Sequence, residues 1–273
     1  MKDLKIALVQ MFSEIGNFEY NINKIEVYSR EASKNGVHII CFPELSICGY
    51  SIEKACKNGK SLPNEVIDYL SRVSVNNKII IIAGICEKEE FTDKLFITQI
   101  ICFPNGRVEK YRKTYLGNRE KRVFSQGNEI KIYKSIRSKF GVQICYDAHF
   151  PELSTIQSLM GAEIIFMPHA SPLGGKERRN IWNKYLIARA YDNSVYVAAC
   201  NHIYKNEYNE YCGGGSIVID PKGNIIAEKF TCNEGILYAN LSSEVINKIR
   251  YSKGISMTNN FYLKDRRKDL NKI

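Results

Sequence analysis

The sequence predicts an α/β fold of layered sheets and helices, and three observations carry that expectation. Short β-rich runs alternate with longer stretches of helical period along the whole chain. The 273 residues, 44% of them hydrophobic, suffice for one large domain with a full core spanning 1–273. Two segments also share a frame, GVHIICFPELS (36–46) and GAEIIFMPHAS (161–171). Each reads as a buried strand stopped by a proline just before a polar side chain, Glu44 in one copy and His169 in the other. Functional groups of open α/β folds gather at the carboxyl ends of strands. Two related halves with a site between them follow, with chance strand–Pro punctuation as the alternative.

In chain order, strands are expected at 4–10, 37–42, 78–84, 95–103, 140–146, 162–167, 195–200, 215–220 and 235–239, from short apolar or β-branched runs. Helices are expected at 19–35, 63–76, 151–160, 177–192 and 242–249. Pro151 followed by Glu152 is a sound helix start. FPNGRVEKY and IDPKGNIIAE read as hairpin turns, because Asn-Gly and Pro-Lys-Gly supply the angles of a tight reversal. GGG at 213–215 precedes a strand and not a helix, so it lacks the helix N-terminus of a phosphate cradle and reads as close backbone packing.

Composition narrows the function. No window approaches the roughly 18 apolar residues of a membrane helix, and LKIALVQM lacks a following cleavage site, so a cytoplasmic protein is expected. The nine cysteines are odd in number and scattered, several inside apolar runs (Cys41, Cys86, Cys102, Cys200), so they read as reduced thiols. The four histidines do not cluster with them, and a structural metal is not expected. The net charge is +10, with eight basic against three acidic residues in 244–273. A tail around Lys264, Arg266, Arg267 and Lys268 without a nucleic-acid motif reads as a solvated or partner-packed terminus.

Three positions carry candidate chemistry. In GVQICYDAHFPE (141–152) an apolar strand ends at Cys145 and a helix starts soon after, which exposes a nucleophile at the sheet rim beside backbone amides. Glu44 leaves a buried strand through Pro43, where desolvation raises a carboxyl towards a useful base. In VEKYRKTYL, strand alternation puts Tyr111 and Lys113 on one face and Lys110 and Arg112 on the other. Taken singly, each also reads plainly: a buried inert thiol, a strand-end Glu in water, a solvated basic face.

Glu in FPELSICGY, Lys in YRKTYL and Cys in GVQICYDAHFPE follow in that order, 69 and then 32 residues apart. This resembles the Glu-Lys-Cys arrangement of the nitrilase-like carbon–nitrogen hydrolases. IALVQM, NREKRVFSQG (118–127) and GGGSIVIDPKGNIIAE (213–228) extend the resemblance over about residues 4–240. It implies a four-layer α-β-β-α sandwich and a homodimer or higher homo-oligomer, with 250–273 packed on a partner subunit. It implies that Cys145 attacks an amide carbonyl, Glu44 carries the proton to the leaving amine, and Lys113 stabilises the oxyanion, with neither metal nor organic cofactor needed. Glu120, four residues before Phe124, matches the family's second glutamate and is expected to orient Lys113 or the substrate.

The nitrile-hydrolysing branch has Trp-Glu after the cysteine, whereas this chain has Tyr146-Asp147. Linear amide or N-carbamoyl substrates are therefore implied, with Tyr50, Tyr146, Asp147 and His169 as substrate-side residues. Ala148 and His149 stand where the amidase and carbamoylase branches often carry an arginine, which leaves Arg178 or Arg179 as candidate carboxylate ligands, or else as the first turn of an exposed helix. An acyl or carbamoyl transferase on the same scaffold and a silent dimeric binding protein are the rival functions. A charge-driven nucleic-acid binder is a third.

Overall fold

A computed structural model describes residues 1–52, 60–61, 64–205, 211–251, 259–267 and 269. Its first half runs β1 (Leu4–Gln10), α1 (Phe18–Lys34), β2 (Ile39–Cys41), β3 (Lys60–Ser61), α2 (Asn64–Asn77), β4 (Ile80–Lys88), β5 (Leu95–Cys102) and β6 (Val108–Arg112). The second runs β7 (Ile132–Lys134), β8 (Lys139–Val142), α3 (Pro151–Leu159), β9 (Ile164–His169), α4 (Gly175–Asn193) and β10 (Tyr196–Asn201). Then come β11 (Ile203–Lys205), β12 (Tyr211–Gly213), β13 (Ser216–Ile219), β14 (Ile225–Lys229), β15 (Gly235–Leu241) and α5 (Ser243–Tyr251).

One sheet has the order β15-β1-β2-β4-β5-β6, with β3 beside β4; the other has β14-β13-β10-β9-β8-β7, and β11-β12 form a separate ribbon. The repeat seen in the sequence is structural. β2 lies parallel between β1 and β4 and is linked to them through α1 and α2. Likewise β9 lies parallel between β8 and β10, linked through α3 and α4. Glu44 and His169 thus stand at matching strand ends.

Alternation decides the layers. Ile6, Leu8, Ile39, Cys41 and Ile82 meet Phe140, Val142, Ile164, Phe166 and Ala198 in the core between the sheets. Their neighbours Ala7, Val9, Ile40 and Ile81 turn the other way and pack with Ile22 and Ile25 of α1 and Leu70 of α2. On the second sheet Ile165, Met167, Val197 and Ile217 pack with Trp182, Leu186 and Ala190 of α4. Three apolar interfaces make four layers, each fully buried aliphatic side chain contributing roughly 1.5–3 kcal/mol.

The helices start and stop where local chemistry directs. Asn17 caps α1 by accepting from the Tyr20 amide at 3.2 Å, and Pro151 begins α3. The expected strand at 140–146 ends at Val142, because Asp147 captures the Ile144 amide at 2.9 Å and the chain turns at Cys145. The strand expected at 78–84 runs on to Lys88, since Arg112 and Lys110 of β6 neutralise its buried Glu87, each at 2.6 Å. Of the basic tail, residues 252–258, 268 and 270–273 lie outside the described residues. The turn Tyr262–Lys264 returns to its own chain, with the Tyr262 hydroxyl 3.2 Å from that of Tyr191 on α4. No helix among the described residues is long and apolar enough to cross a membrane.

Candidate active site

Glu44, Lys113 and Cys145 come together where the two sheets face each other at their strand ends. After β2 the Phe42 amide still bonds to the Ile82 carbonyl at 2.8 Å; then Pro43 and a left-handed Leu45 (φ 55°) turn the chain. Gly84 of β4 allows that turn to seat, because a Cβ there would lie 2.2 Å from the Leu45 nitrogen and 3.0 Å from the Glu44 carbonyl carbon. From the other sheet, the His202 Nε2 meets the Glu44 main-chain oxygen at 2.5 Å. Burial holds His202 near 4, so the ring is neutral, and the shorter contact assigns the proton to Nε2 over Nδ1, which lies 3.2 Å from the Met11 carbonyl.

Lys113 follows β6, its amide bonded to the Ile97 carbonyl at 2.8 Å. The side chain is 1% exposed and donates to Glu44 Oε1 at 2.7 Å and Glu120 Oε1 at 2.8 Å. Glu120 also accepts from the Tyr50 hydroxyl at 3.1 Å and the Gly117 amide at 2.8 Å. One ammonium is therefore shared by two buried carboxylates, one of them held by its own donors.

Cys145 occupies a left-handed elbow (φ 48°) between β8 and α3 and is only partly buried. Such a conformation costs a residue with a Cβ about 1–3 kcal/mol, and Asp147 supplies the restraint. Its oxygens accept from the Ile144 amide (2.9 Å), the Tyr111 hydroxyl (2.9 Å), the Thr114 amide (3.2 Å) and hydroxyl (2.9 Å), and the Tyr115 amide (2.8 Å). Asp147 ties the thiol's turn to the segment that follows Lys113.

The electrostatics follow from this crowding. Burial raises the Glu44 carboxyl to about 7, with Glu120 adding to the rise and Lys113 opposing it. Burial and the Glu44 carboxylate push the Cys145 thiol up to about 12, against Lys113 and the Ala170 amide. Burial alone would lower Lys113, but Glu44, Cys145 and Glu120 outweigh it and hold the ammonium charged. The resting group of three is thus a protonated thiol, a carboxyl poised near neutrality and a fixed cation.

The other expected residues divide. Tyr50 touches the cluster through Glu120, whereas Tyr146 is 40% exposed and packs edge-on to Phe150. His169 is buried; burial and the Arg178 charge depress it to about 3, so Nδ1–H donates to the Met167 carbonyl at 2.7 Å and Nε2 faces the Tyr185 hydroxyl at 3.4 Å. Arg179 points outward to Glu228 at 2.8 Å, and Arg178 is buried. His202, Tyr185 and Tyr204 did not emerge from the sequence. His202 follows a buried strand directly, the one signal that marked Glu44 and His169.

The carbon–nitrogen hydrolase family model matches residues 5–251. The ω-amidase NIT3 of Saccharomyces cerevisiae is 30% identical over 276 residues, covering 94% of each chain. The 2-oxoglutaramate amidase of Bacillus subtilis is 31% identical over 254 residues, 90% of this chain and 94% of that protein. The crystal structure of Saccharomyces cerevisiae Nit3, a member of branch 10 of the nitrilase superfamily, superposes with a TM-score of 0.82 at 31% identity, over 93% of this chain and 96% of that one.

Proposed function

Because the chain belongs to the carbon–nitrogen hydrolase family, we propose that it is an amidase acting on small linear amides through a Cys145 thioester. The observation that carries this reading is the Lys113 ammonium between Glu44 and Glu120, beside a thiol whose pKa responds to Glu44 and Lys113. Glu44, poised near 7, accepts the thiol proton as sulfur attacks the amide carbon. Negative charge developing on the carbonyl oxygen is stabilised by Lys113 and a backbone amide of the elbow. Glu44 returns the proton to nitrogen, the C–N bond breaks and ammonia leaves. Water, deprotonated by the same carboxylate, then cleaves the thioester to the free acid and restores the thiol.

Asp147 serves in this reading as a brace for the elbow and not as a substrate contact, since its oxygens are taken up by five protein donors. Relatives named as an ω-amidase and a 2-oxoglutaramate amidase favour a terminal primary amide over an N-carbamoyl group. Hydrolysis is favoured over transfer on the same grounds. A homodimer is the assembly proposed, which light scattering after gel filtration tests.

The deciding experiment is intact-mass measurement of acid-quenched wild-type enzyme mixed with a panel of amides and N-carbamoyl compounds, alongside ammonia release. An acyl increment mapping to Cys145 identifies both the thioester and the acyl group. Ammonia release without any adduct, in an enzyme still active as Cys145→Ala, would falsify the mechanism.

A further inference from the structure

Arg178 is 5% exposed, yet among the described residues it forms no ion pair. Its Nη2 donates to Ser171 Oγ and its Nε to the Leu173 carbonyl at 3.5 Å, while the guanidinium lies 5.6 Å from the Trp182 ring. A guanidinium has five N–H donors, so most of this one's donors and all of its charge are unmatched. A buried cation without a counter-charge is costly. The chain's other buried arginine has a structural reason: Arg250 serves the Ser194 and Ala162 carbonyls at 3.0 and 2.7 Å where α3 and α4 end. Arg178 has no such reason.

Its position supplies one. The Ala170 amide acts on the Cys145 sulfur, and the next residue, Ser171, receives the guanidinium. One residue is only about 3.8 Å of chain. The Arg178 charge also reaches Tyr204 and Tyr185, both of which feel Cys145. The Tyr204 hydroxyl is buried and has no hydrogen-bond partner among the described residues. Gly215 (φ 117°) makes room for the arginine stem, since a Cβ there would sit 3.2 Å from Arg178 Cγ.

We propose that Arg178, with the Tyr204 hydroxyl, forms a subsite for a carboxylate on the acyl part of the substrate. The substrate is then a short ω-amido acid whose amide reaches Cys145 while its far end neutralises the guanidinium. This assignment rests on the amidase reading above, and it identifies the residues that select the acyl group.

Two readouts test it. The first is protection of Cys145 by glutarate against iodoacetamide, mapped by peptide mass, with exposed Cys232 as the accessibility control. Glutarate should protect wild-type Cys145 at least about tenfold better than Arg178→Met, with Arg178→Lys between them. The second is the ratio of kcat/KM for glutaramate to that for pentanamide. It should fall about a hundredfold in Arg178→Met, mostly through KM. Tyr204→Phe, which keeps the ring's packing, should lower the ratio several-fold. An unchanged ratio in the variants, or equal protection of wild type and Arg178→Met, would overturn the assignment. Absence of turnover with either amide sinks the amidase reading alone, because protection needs no turnover and decides the subsite by itself.

Discussion

Lys113 Nζ stands 2.7 Å from Glu44 Oε1, while the second oxygen of Glu44 is buried without a hydrogen-bond partner among the described residues. The paired oxygen holds the carboxylate in place and the other is left for a proton. With Glu44 raised to about 7, kcat/KM for a neutral amide should climb about tenfold per pH unit below that value and level off above it. A profile flat between about pH 5 and 8 would remove Glu44 as the base. Stability runs the opposite way. A carboxyl whose folded pKa is raised contributes stability below its ordinary value of 4.5 and loses it as pH rises to about 7. Glu44→Gln should therefore gain on wild type in thermal unfolding as pH moves through that window.

Replacing Lys113 by Met leaves Glu44 and Glu120 as two buried carboxylates with no cation between them. The rate should drop at least about a hundredfold, and the acid limb of any residual activity should move to higher pH. Residual activity titrating at the wild-type position would place Lys113 outside the electrostatics of Glu44.

The left-handed elbow at Cys145 (φ 48°) predicts an inversion between stability and activity. Cys145→Gly and Cys145→Ala should both lack turnover. The glycine variant should nevertheless be the more stable of the two by roughly 1 kcal/mol, because only glycine occupies that conformation without cost. Chemical denaturation of both proteins reads this directly, and a less stable glycine variant would mean the elbow holds no strain.

Much of this architecture was legible because it depends on period and punctuation. The alternation of Ile6, Leu8 and Val9, the helical spacing of Ile22 and Ile25, and Pro151 each name an element without outside help. The short strands β3, β7, β11 and β12 carry two or three residues each, too few for a period, and exist because a neighbour supplies their bonds. The site divides in the same way. Glu44, Lys113 and Cys145 show through residue type at strand ends. Asp147 as a brace and Arg178 as a buried cation do not, because both depend on which charged residue loses its water. An arginine in the first turns of a helix looks identical in sequence whether it meets solvent or a pocket.

Gly84→Ala should be among the most damaging small substitutions. Its new methyl would lie 2.2 Å from the Leu45 nitrogen, so the segment holding Glu44 must shift. A destabilisation of about 1–3 kcal/mol is expected, together with a loss of kcat larger than any change in KM. Full activity at reduced stability would show that Glu44 keeps its place despite the shift.

Asp147→Asn replaces one of two acceptor oxygens by a donor. The Ile144, Thr114 and Tyr115 amides cannot all be served, at a cost of about 1–3 kcal/mol per buried donor stranded. Activity should fall with it, since the Cys145 turn and the segment after Lys113 lose their common anchor. A double-mutant cycle with Tyr111→Phe, whose hydroxyl bonds to Asp147 at 2.9 Å, should give non-additive losses.

The pairing of β1 with both β2 and β15 has a consequence for synthesis. Leu4–Gln10 is synthesised long before its antiparallel neighbour, Gly235–Leu241. Until then one edge of β1 is open, and the inner face of its sheet waits for strands from the second half of the chain. Until Gly235–Leu241 is made, the nascent chain carries an adhesive, unfinished sheet. Chaperone holding during translation, and aggregation of fragments truncated before Gly235, are what this strand order brings with it.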